Sequence, residues 1–431
     1  MSKSTRSRRA NKSPKPYPEF PLTAHRGTGR WRKIHQGKSY YFGPLADWQG
    51  ALERFNRQWP YIISGREAPP ENVADGGLRL ADLADEFLNA KRNRLTAGEL
   101  SARSFRAYYE TCAAMIGQFG KERRVDDLRP DDFESYRAVL AAKYGVVGLK
   151  NEINRCRVVF KFAHDNRLIE RPVSFGQAFN RPSAKTLRIA RNDAGPRMIE
   201  SDELRRILNL LDGKEITLDR IDEETGKPVK VKRTPDAGLR AMVLLAANGG
   251  LGNTDVASLP QSAIDESGWL NFPRPKTGIR RRIPLWKETI DALQAAIAMR
   301  PDPVDPADGN LCFLTPKGNP WVRVRVSIGK DGKEKHVPMD ALTQKFADLL
   351  KMLGINGHRG FYAVRHAFET IGGESRDQVA VNAIMGHVDS SMAGAYRERI
   401  SGERLQAVVD TVRAWLWPEI VKEPTDAPEP G

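Results

Sequence analysis

Apolar residues recur with a helical period through the first half of the chain. Between residues 78 and 168, four segments carry apolar side chains at positions i, i+3, i+4 and i+7, the spacing of a single buried helix face. The segments are LADLADEFLNAKRN, SARSFRAYYETCAAMIGQF, RPDDFESYRAVLAAKY and LKNEINRCRVVFKFAHDN. Together they predict a compact helical domain.

Before these helices the chain has short β-prone runs. The dipeptide Gln36-Gly37 joins RWRKIH to KSYYFG, which is typical of a tight hairpin, and DWQGALERFNRQW then has helical spacing. The hairpin alternates basic with aromatic residues and has no acidic one. Such a ribbon suits a DNA groove, whereas the plainer interpretation is a small surface hairpin with solvated charges. The residues we predict to bind DNA here are Arg30, Arg32, Lys33 and Lys38.

The rest of the chain mixes helical and extended patterns. Two strands, WLNFPRP and RRRIPL, are predicted around the turn Lys276-Thr277-Gly278. The polar stretch 216–234 is expected to be an exposed insertion. Helices are predicted at 201–211, 239–250, 286–299, 340–353, 360–372, 376–385, 390–396 and 404–416. The fold class is therefore mainly α with small β elements (α+β).

These patterns divide the chain into six stretches. Residues 1–20 are basic and rich in proline, which predicts a disordered arm, and 417–431 predict a disordered tail. The ordered stretches are a hairpin and helix at 21–66, the helical domain at 78–168, a basic linker at 169–195 and a mixed α/β domain at 196–416. The basic linker is well suited to cross a DNA groove.

The net charge of the chain indicates the kind of partner it binds. The 431 residues include 69 Lys and Arg against 54 Asp and Glu, a net charge of +15. Such a balance favours a polyanion, because neutralising phosphates releases counterions and drives nucleic-acid binding. Arg155 and Arg157, on the basic last helix of the helical domain, join the residues predicted to contact DNA.

Several other classes of protein are disfavoured. No run approaches 18 apolar residues, so no membrane span is expected. The basic N-terminal residues have no apolar segment behind them, and a secretory signal is not predicted. The three cysteines are scattered and form neither a disulfide framework nor a zinc site. We expect a cytoplasmic, nucleoid-associated protein.

Four motifs in the C-terminal half carry candidate chemistry. They are NGGLGNTDVASL (248–259), FPRPKTGIRRRIPL (272–285), FYAVRHAF (361–368) and MGHVDSSMAGAYRERI (385–400). In sequence and order they resemble the motifs of the tyrosine recombinases, the phage-integrase type of DNA strand-exchange enzyme. The nine-residue step from His387 to Tyr396 matches that family. The resemblance implies an arm-binding hairpin, a helical core-binding domain and a tyrosine-recombinase catalytic domain.

The resemblance also implies a mechanism. Tyr396 is expected to attack the scissile phosphate and form a 3′-phosphotyrosine, which stores the bond energy, so that neither ATP nor a metal nor another cofactor is needed. Arg365 and His387 are expected to stabilise the anionic transition state, and Lys276 to protonate the leaving 5′-oxygen. The expected partner is double-stranded DNA, bound by a homotetramer on paired sites of a mobile element.

Two positions depart from the family pattern. Gly252 stands where the first catalytic arginine is expected, although Asp255 and Leu259 around it fit. Tyr362 stands three residues before Arg365, on the same helix face, where the family has His or Lys. Arg274 lies two residues before Lys276 and shares its strand face, so we hypothesise that Arg274 supplies the missing charge.

Two functions therefore remain open. The first is an active site-specific recombinase or integrase, favoured by Lys276, Arg365, His387 and Tyr396. The second is a DNA-binding protein on the same fold with lost or weak strand transfer, favoured by Gly252. A type IB topoisomerase shares the chemistry, but the arm-like hairpin favours recombination. A nuclease is disfavoured, since no cluster of acidic metal ligands is evident in the sequence.

Overall fold

The computed structural model of the chain describes residues 15–64, 77–328, 334–357 and 359–418. It has two compact units, which divide after Leu78. Most of the predicted disordered arm (1–20) and of the predicted tail (417–431) lies outside the described residues. Among the described residues, no helix is both long and apolar enough to cross a bilayer.

The first unit is a small sheet with one helix. Strands β1 (Thr23–His25), β2 (Arg30–His35) and β3 (Lys38–Pro44) pair antiparallel in that order, and helix α1 spans Trp48–Ile63. Gln36 and Gly37 both have positive φ, as a two-residue hairpin turn requires, so the predicted hairpin is confirmed. The buried core is Phe20, Leu22, Trp31, Phe42, Ala51 and Phe55. Burial of Phe20 places the start of the ordered unit before residue 21.

The second unit begins with the helical domain. Its helices are α2 (Leu80–Thr96), α3 (Ala102–Phe119), α4 (Pro130–Lys143) and α5 (Val146–Asp165), so the four predicted helices are confirmed. The rings of Phe175 and Phe179 pack on Phe133, which holds the start of the predicted linker against this domain. A helix that the sequence analysis did not predict, α6 (Ala184–Asp193), follows and has no buried residue.

The mixed domain contains nine helices and three two-stranded antiparallel sheets within the described ranges. Its helices are α7 (Ser201–Leu211), α8 (Ala237–Gly249), α9 (Asn253–Ala257), α10 (Lys287–Ala298), α11 (Ala341–Met352), α12 (Tyr362–Gly372), α13 (Gln378–Met385), α14 (Met392–Tyr396) and α15 (Gly402–Leu416). The hairpins pair β4 (Ile216–Ile221) with β5 (Pro228–Val231), β6 (Trp269–Asn271) with β7 (Arg282–Pro284), and β8 (Val322–Ile328) with β9 (Glu334–Asp340).

Two of these hairpins were not predicted as strands. The stretch 216–234 was interpreted only as an exposed insertion, yet it forms β4 and β5. The hairpin of β8 and β9 was missed altogether, although VRVRVSI alternates with a period of two. The ring of His336 on β9 packs edge-on against that of Phe105 on α3, so this hairpin links the mixed domain to the helical domain.

Helix α8 forms the centre of the mixed domain. It is buried from Leu239 to Gly249 apart from Arg240, which explains its nearly unbroken apolar sequence. Asn248 is fully buried and is satisfied at both ends of its amide: Nδ2 donates to Pro284 O at 3.0 Å, and Oδ1 accepts from Trp286 N at 2.8 Å. These bonds fix hairpin β6–β7 against α8.

The C-terminal helix α15 completes the core. Its apolar stripe is buried in this chain's own mixed domain at Leu405, Val408, Val409, Val412 and Leu416. In the structure, this apolar stripe is part of the core of the mixed domain.

Candidate active site

Arg365 is the central side chain of the site. It lies on α12 and is only 2% exposed. Its Nη1 donates to Gly250 O, and its Nη2 donates to Met385 O at 2.9 Å and to His387 Nε2 at 3.0 Å. Burial and the nearby Arg274 charge lower the pKa of Arg365, although a guanidinium remains charged in proteins. Arg365 thus joins the ends of α8 and α13 around one buried positive charge.

His387 follows the end of α13 and is neutral near pH 7. Because a guanidinium can only donate, Nε2 of His387 must accept the bond from Arg365. Its Nδ1 then carries the proton and donates to Asn382 Oδ1 at 3.2 Å. Burial and the charge of Arg365 both lower the pKa of His387. The structure therefore brings two residues predicted from separate motifs into direct contact.

The turn between β6 and β7 lies against the residue before His387. Arg274 O accepts a hydrogen bond from Gly278 N at 2.8 Å, which closes the turn around Lys276. Arg274 Nη1 and Thr277 Oγ1 then donate to Gly386 O, at 3.3 and 3.1 Å. Arg274 is 8% exposed, and its Nε has no hydrogen-bond partner within the part of the chain that the structure describes, whereas Lys276 is exposed at the tip.

Arg281 is a member of this cluster that sequence reasoning missed. It is 3% exposed, its Nε donates to Phe272 O at 3.0 Å, and its Nη2 lies 3.5 Å from Asp255 Oδ1. Two residues on, Ile283 is fully buried. The available signal was that Arg281 lies two residues before a buried strand residue. Alternate residues of a strand share a face, so this spacing predicts a buried arginine.

The two departures from the family pattern lie next to each other. Gly252 N donates to Asp255 Oδ2 at 2.8 Å, and a Cβ at position 252 would lie 3.4 Å from Tyr362 Cε2. The Tyr362 ring is half exposed, with its centre 5.9 Å from the Arg365 guanidinium carbon. Tyr362 therefore occupies space beside Gly252 that an arginine side chain there would enter.

Gly386 permits the arginines to converge. It has φ of +63°, and a Cβ there would lie 3.0 Å from both Arg274 Cβ and Arg281 Cδ.

We expect Gly386→Ala to destabilise the protein by about 2–4 kcal/mol, because alanine is strained at a left-handed φ and its Cβ would displace the two arginines. The measurement is urea unfolding. Gly354→Ala is the matched control, since Gly354 has φ of +68° with nothing nearby. Equal losses for the two variants would contradict the packing argument.

Tyr396 ends α14 and is not assembled with the arginines. It is 79% exposed, and its hydroxyl makes no hydrogen bond to another described residue. Ser391 caps this helix, since its Oγ accepts from Gly394 N at 3.1 Å. Asp389 accepts from Ser391 Oγ, Ser391 N and Arg397 Nη1, at 2.6, 3.0 and 2.8 Å, and these bonds lower the pKa of Asp389 to about 2. Hydrogen bonds therefore hold α14 at both ends, from Ser391 at its start and from Arg397 just after its end.

The predicted DNA-contact residues of the first unit have different surroundings. Arg30 and Lys38 are exposed and Arg32 is half-buried. Lys33 Nζ donates to Pro21 O at 2.9 Å and lies over the ring of Trp59, so part of its role is within the unit.

The two predicted residues on α5 have partners within the helical domain. Arg155 bonds to Thr111 Oγ1 and Glu152, and Arg157 donates to Phe179 O at 2.7 Å. DNA contact by all six predicted residues stays a prediction.

Comparison with known proteins defines the fold. No protein-family model matches the chain, and no curated protein matches it. The lambda integrase tetramer bound to a Holliday junction is similar in structure, with a TM-score of 0.52 and 14% identity over 90% of this chain and 99% of that one. The Tn1549 transposon integrase in complex with transposon right end DNA has a TM-score of 0.51 and 14% identity, over 78% of this chain and 100% of that one. The chain therefore has the tyrosine-recombinase fold, as the sequence motifs predicted.

Proposed function

We propose that the protein is a site-specific DNA recombinase that cleaves and rejoins DNA through Tyr396. The observation that carries the proposal is the buried Arg365, which is bonded to His387 and lies beside Arg274 within the integrase fold. Buried guanidinium groups held by backbone oxygens are preorganised to receive a phosphate, because they need no reorganisation when charge develops.

The proposed reaction balances without a cofactor. The Tyr396 oxygen attacks the scissile phosphorus and loses its proton to solvent, and the bond from phosphorus to the 5′-oxygen breaks. That oxygen takes a proton from Lys276, whose turn is anchored at Gly386 through Thr277. The 3′-phosphotyrosine is then resealed by a 5′-hydroxyl in the reverse reaction.

Double-stranded DNA and a homotetramer are the proposed partners. The net charge of +15 supports a polyanionic ligand. The lambda integrase with a similar fold was solved as a tetramer on a Holliday junction. By analogy, we propose that four copies of this chain act on two paired DNA sites, as integration or excision of a mobile element requires.

Covalent trapping tests the proposal. The protein is incubated with a nicked duplex that carries the end of its own genetic element, and the mixture is run on a denaturing gel. We expect a protein–DNA band, because the fragment beyond the nick diffuses away and prevents resealing. A duplex of scrambled sequence is the control. Binding to the verified site without a covalent band would favour the second function, a DNA-binding protein whose strand transfer is lost at Gly252.

Arg274 is proposed to bind the scissile phosphate directly. We expect Arg274→Ala to slow formation of the covalent band by about 10²-fold, the cost of removing one preorganised donor. Arg280→Ala is the matched control, because Arg280 is an exposed arginine of the same hairpin. Cleavage by Arg274→Ala at the parent rate would rule out this role.

A further inference from the structure

We infer that Arg281, together with Arg274, supplies the positive charge that position 252 lacks, acting on the bound phosphate from the strand side of the site. The inference rests on the proposed recombinase function and adds a residue to it. Arg281 is a positioning residue, since its side chain is fully shielded from solvent in the free protein.

Arg281 directly precedes strand β7, and its backbone O accepts a hydrogen bond from Phe272 N at 3.2 Å. It shares a face with Ile283, which is fully buried, so this position faces the core of the mixed domain. Burying a guanidinium among apolar groups costs free energy unless its charge is needed or paired. Asp255 is its ion-pair partner, and at 3.5 Å that pair is long. Arg281 Nη1 has no hydrogen-bond partner among the described residues.

Arg281 is connected to Gly252 through Asp255. One carboxylate joins them: Asp255 Oδ2 accepts from Gly252 N at 2.8 Å, and Asp255 Oδ1 faces Arg281 Nη2. One side chain, that of Asp255, therefore lies between the Arg281 guanidinium and the backbone of Gly252, from which the expected arginine would extend. In this proposal, the guanidinium of Arg281, next to β7, takes the place of an arginine side chain at position 252.

The buried cluster has more positive than negative side chains. Arg274 and Arg281 both pack against Gly386, and Arg365 donates to Met385 O beside it. Arg274 and Arg365 are bonded to neutral carbonyl oxygens rather than to carboxylates. Of the three buried guanidinium groups, Arg281 is the one paired with Asp255, while Glu369 lies 4.0 Å from Nδ1 of His387. The excess positive charge is suited to an oxyanion such as a DNA phosphate.

The backbone at position 252 can accept a residue with a Cβ. Gly252 has φ of −93°, which any residue adopts, and a Cβ there would meet Asp255 and Tyr362 only at van der Waals distance. Moving the arginine from position 281 to position 252 is therefore a direct test. If Arg281 had only a structural role, an arginine at 252 would not restore the activity lost at 281.

The experiment compares cleavage rates on the nicked duplex. We expect Arg281→Met to slow covalent-band formation by about 10²-fold, and Arg281→Lys to stay within about tenfold of the parent. Adding Gly252→Arg to Arg281→Met should recover at least about tenfold. Because Arg281→Met leaves Asp255 unpaired, Arg281→Met/Asp255→Asn serves as a second variant that removes both buried charges. Parent-like cleavage by either neutral variant, or no recovery with Gly252→Arg, would overturn the inference.

A second readout separates this inference from the recombinase proposal. Inorganic phosphate should raise the melting temperature of the parent protein, and this shift should be lost in Arg281→Met/Asp255→Asn and kept in Arg281→Lys. If the parent binds phosphate in this way but forms no covalent band, the recombinase proposal fails and the role of Arg281 stands. An equal phosphate shift in the parent and the neutral variant overturns the role of Arg281, whatever the cleavage result.

Discussion

Tyr396→Phe should abolish the covalent protein–DNA band and leave DNA affinity unchanged. The substitution removes one oxygen, the atom proposed to bond to phosphorus, and keeps the ring. Tyr396 is 79% exposed and its hydroxyl is bonded to no other described residue, so the fold should not depend on it. The loss should be complete, because no other group can form the same ester. The denaturing gel measures the covalent band, and fluorescence anisotropy with labelled duplex measures affinity.

Tyr362→Phe is the matched control, because Tyr362 is the tyrosine beside the Arg365 guanidinium. We expect this variant to form the covalent band, more slowly than the parent if the Tyr362 hydroxyl donates to the phosphate. A band that persists in Tyr396→Phe and disappears in Tyr362→Phe would contradict our assignment and make Tyr362 the nucleophile.

Arg365→Met should have the second-largest effect, on both cleavage and stability. The variant leaves Gly250 O, Met385 O and His387 Nε2 without their donor in a buried site. We expect a loss of about 2–5 kcal/mol in the free energy of unfolding, since each unsatisfied buried group costs about 1–3 kcal/mol and removal of the charge relieves some repulsion from Arg274. Cleavage should fall by about 10²–10³-fold or more.

Urea unfolding and the covalent-band rate measure the two effects. Arg404→Met is the matched control, because Arg404 forms an exposed ion pair with Asp377 at 2.6 Å, and such pairs contribute at most about 1 kcal/mol. Arg365→Lys separates the effects, since it keeps the charge and loses the forked geometry. An Arg365→Met protein that is as stable as Arg404→Met and cleaves at the parent rate would show that Arg365 is not part of the active site.

The sequence by itself determined most of the fold. Strong helical periodicity predicted α2 to α5, α7, α8 and the helices from α10 onward, because each must bury one face. Gln36-Gly37 predicted the first hairpin, since both residues adopt positive φ. The spacing of the motifs also indicated the tyrosine-recombinase fold, which the structural comparison confirmed.

Only the tertiary structure decided how the site is assembled. Arg281 lies within one of the four motifs but was not singled out, because its role depends on Asp255, 26 residues away in the chain and in contact only after folding. Whether the apolar stripe of α15 faces this chain or another subunit also cannot be read from periodicity, which gives a face but not its partner. Contacts between distant segments, such as Arg365 with Gly250 and His387, arise from packing, and sequence spacing alone does not encode them.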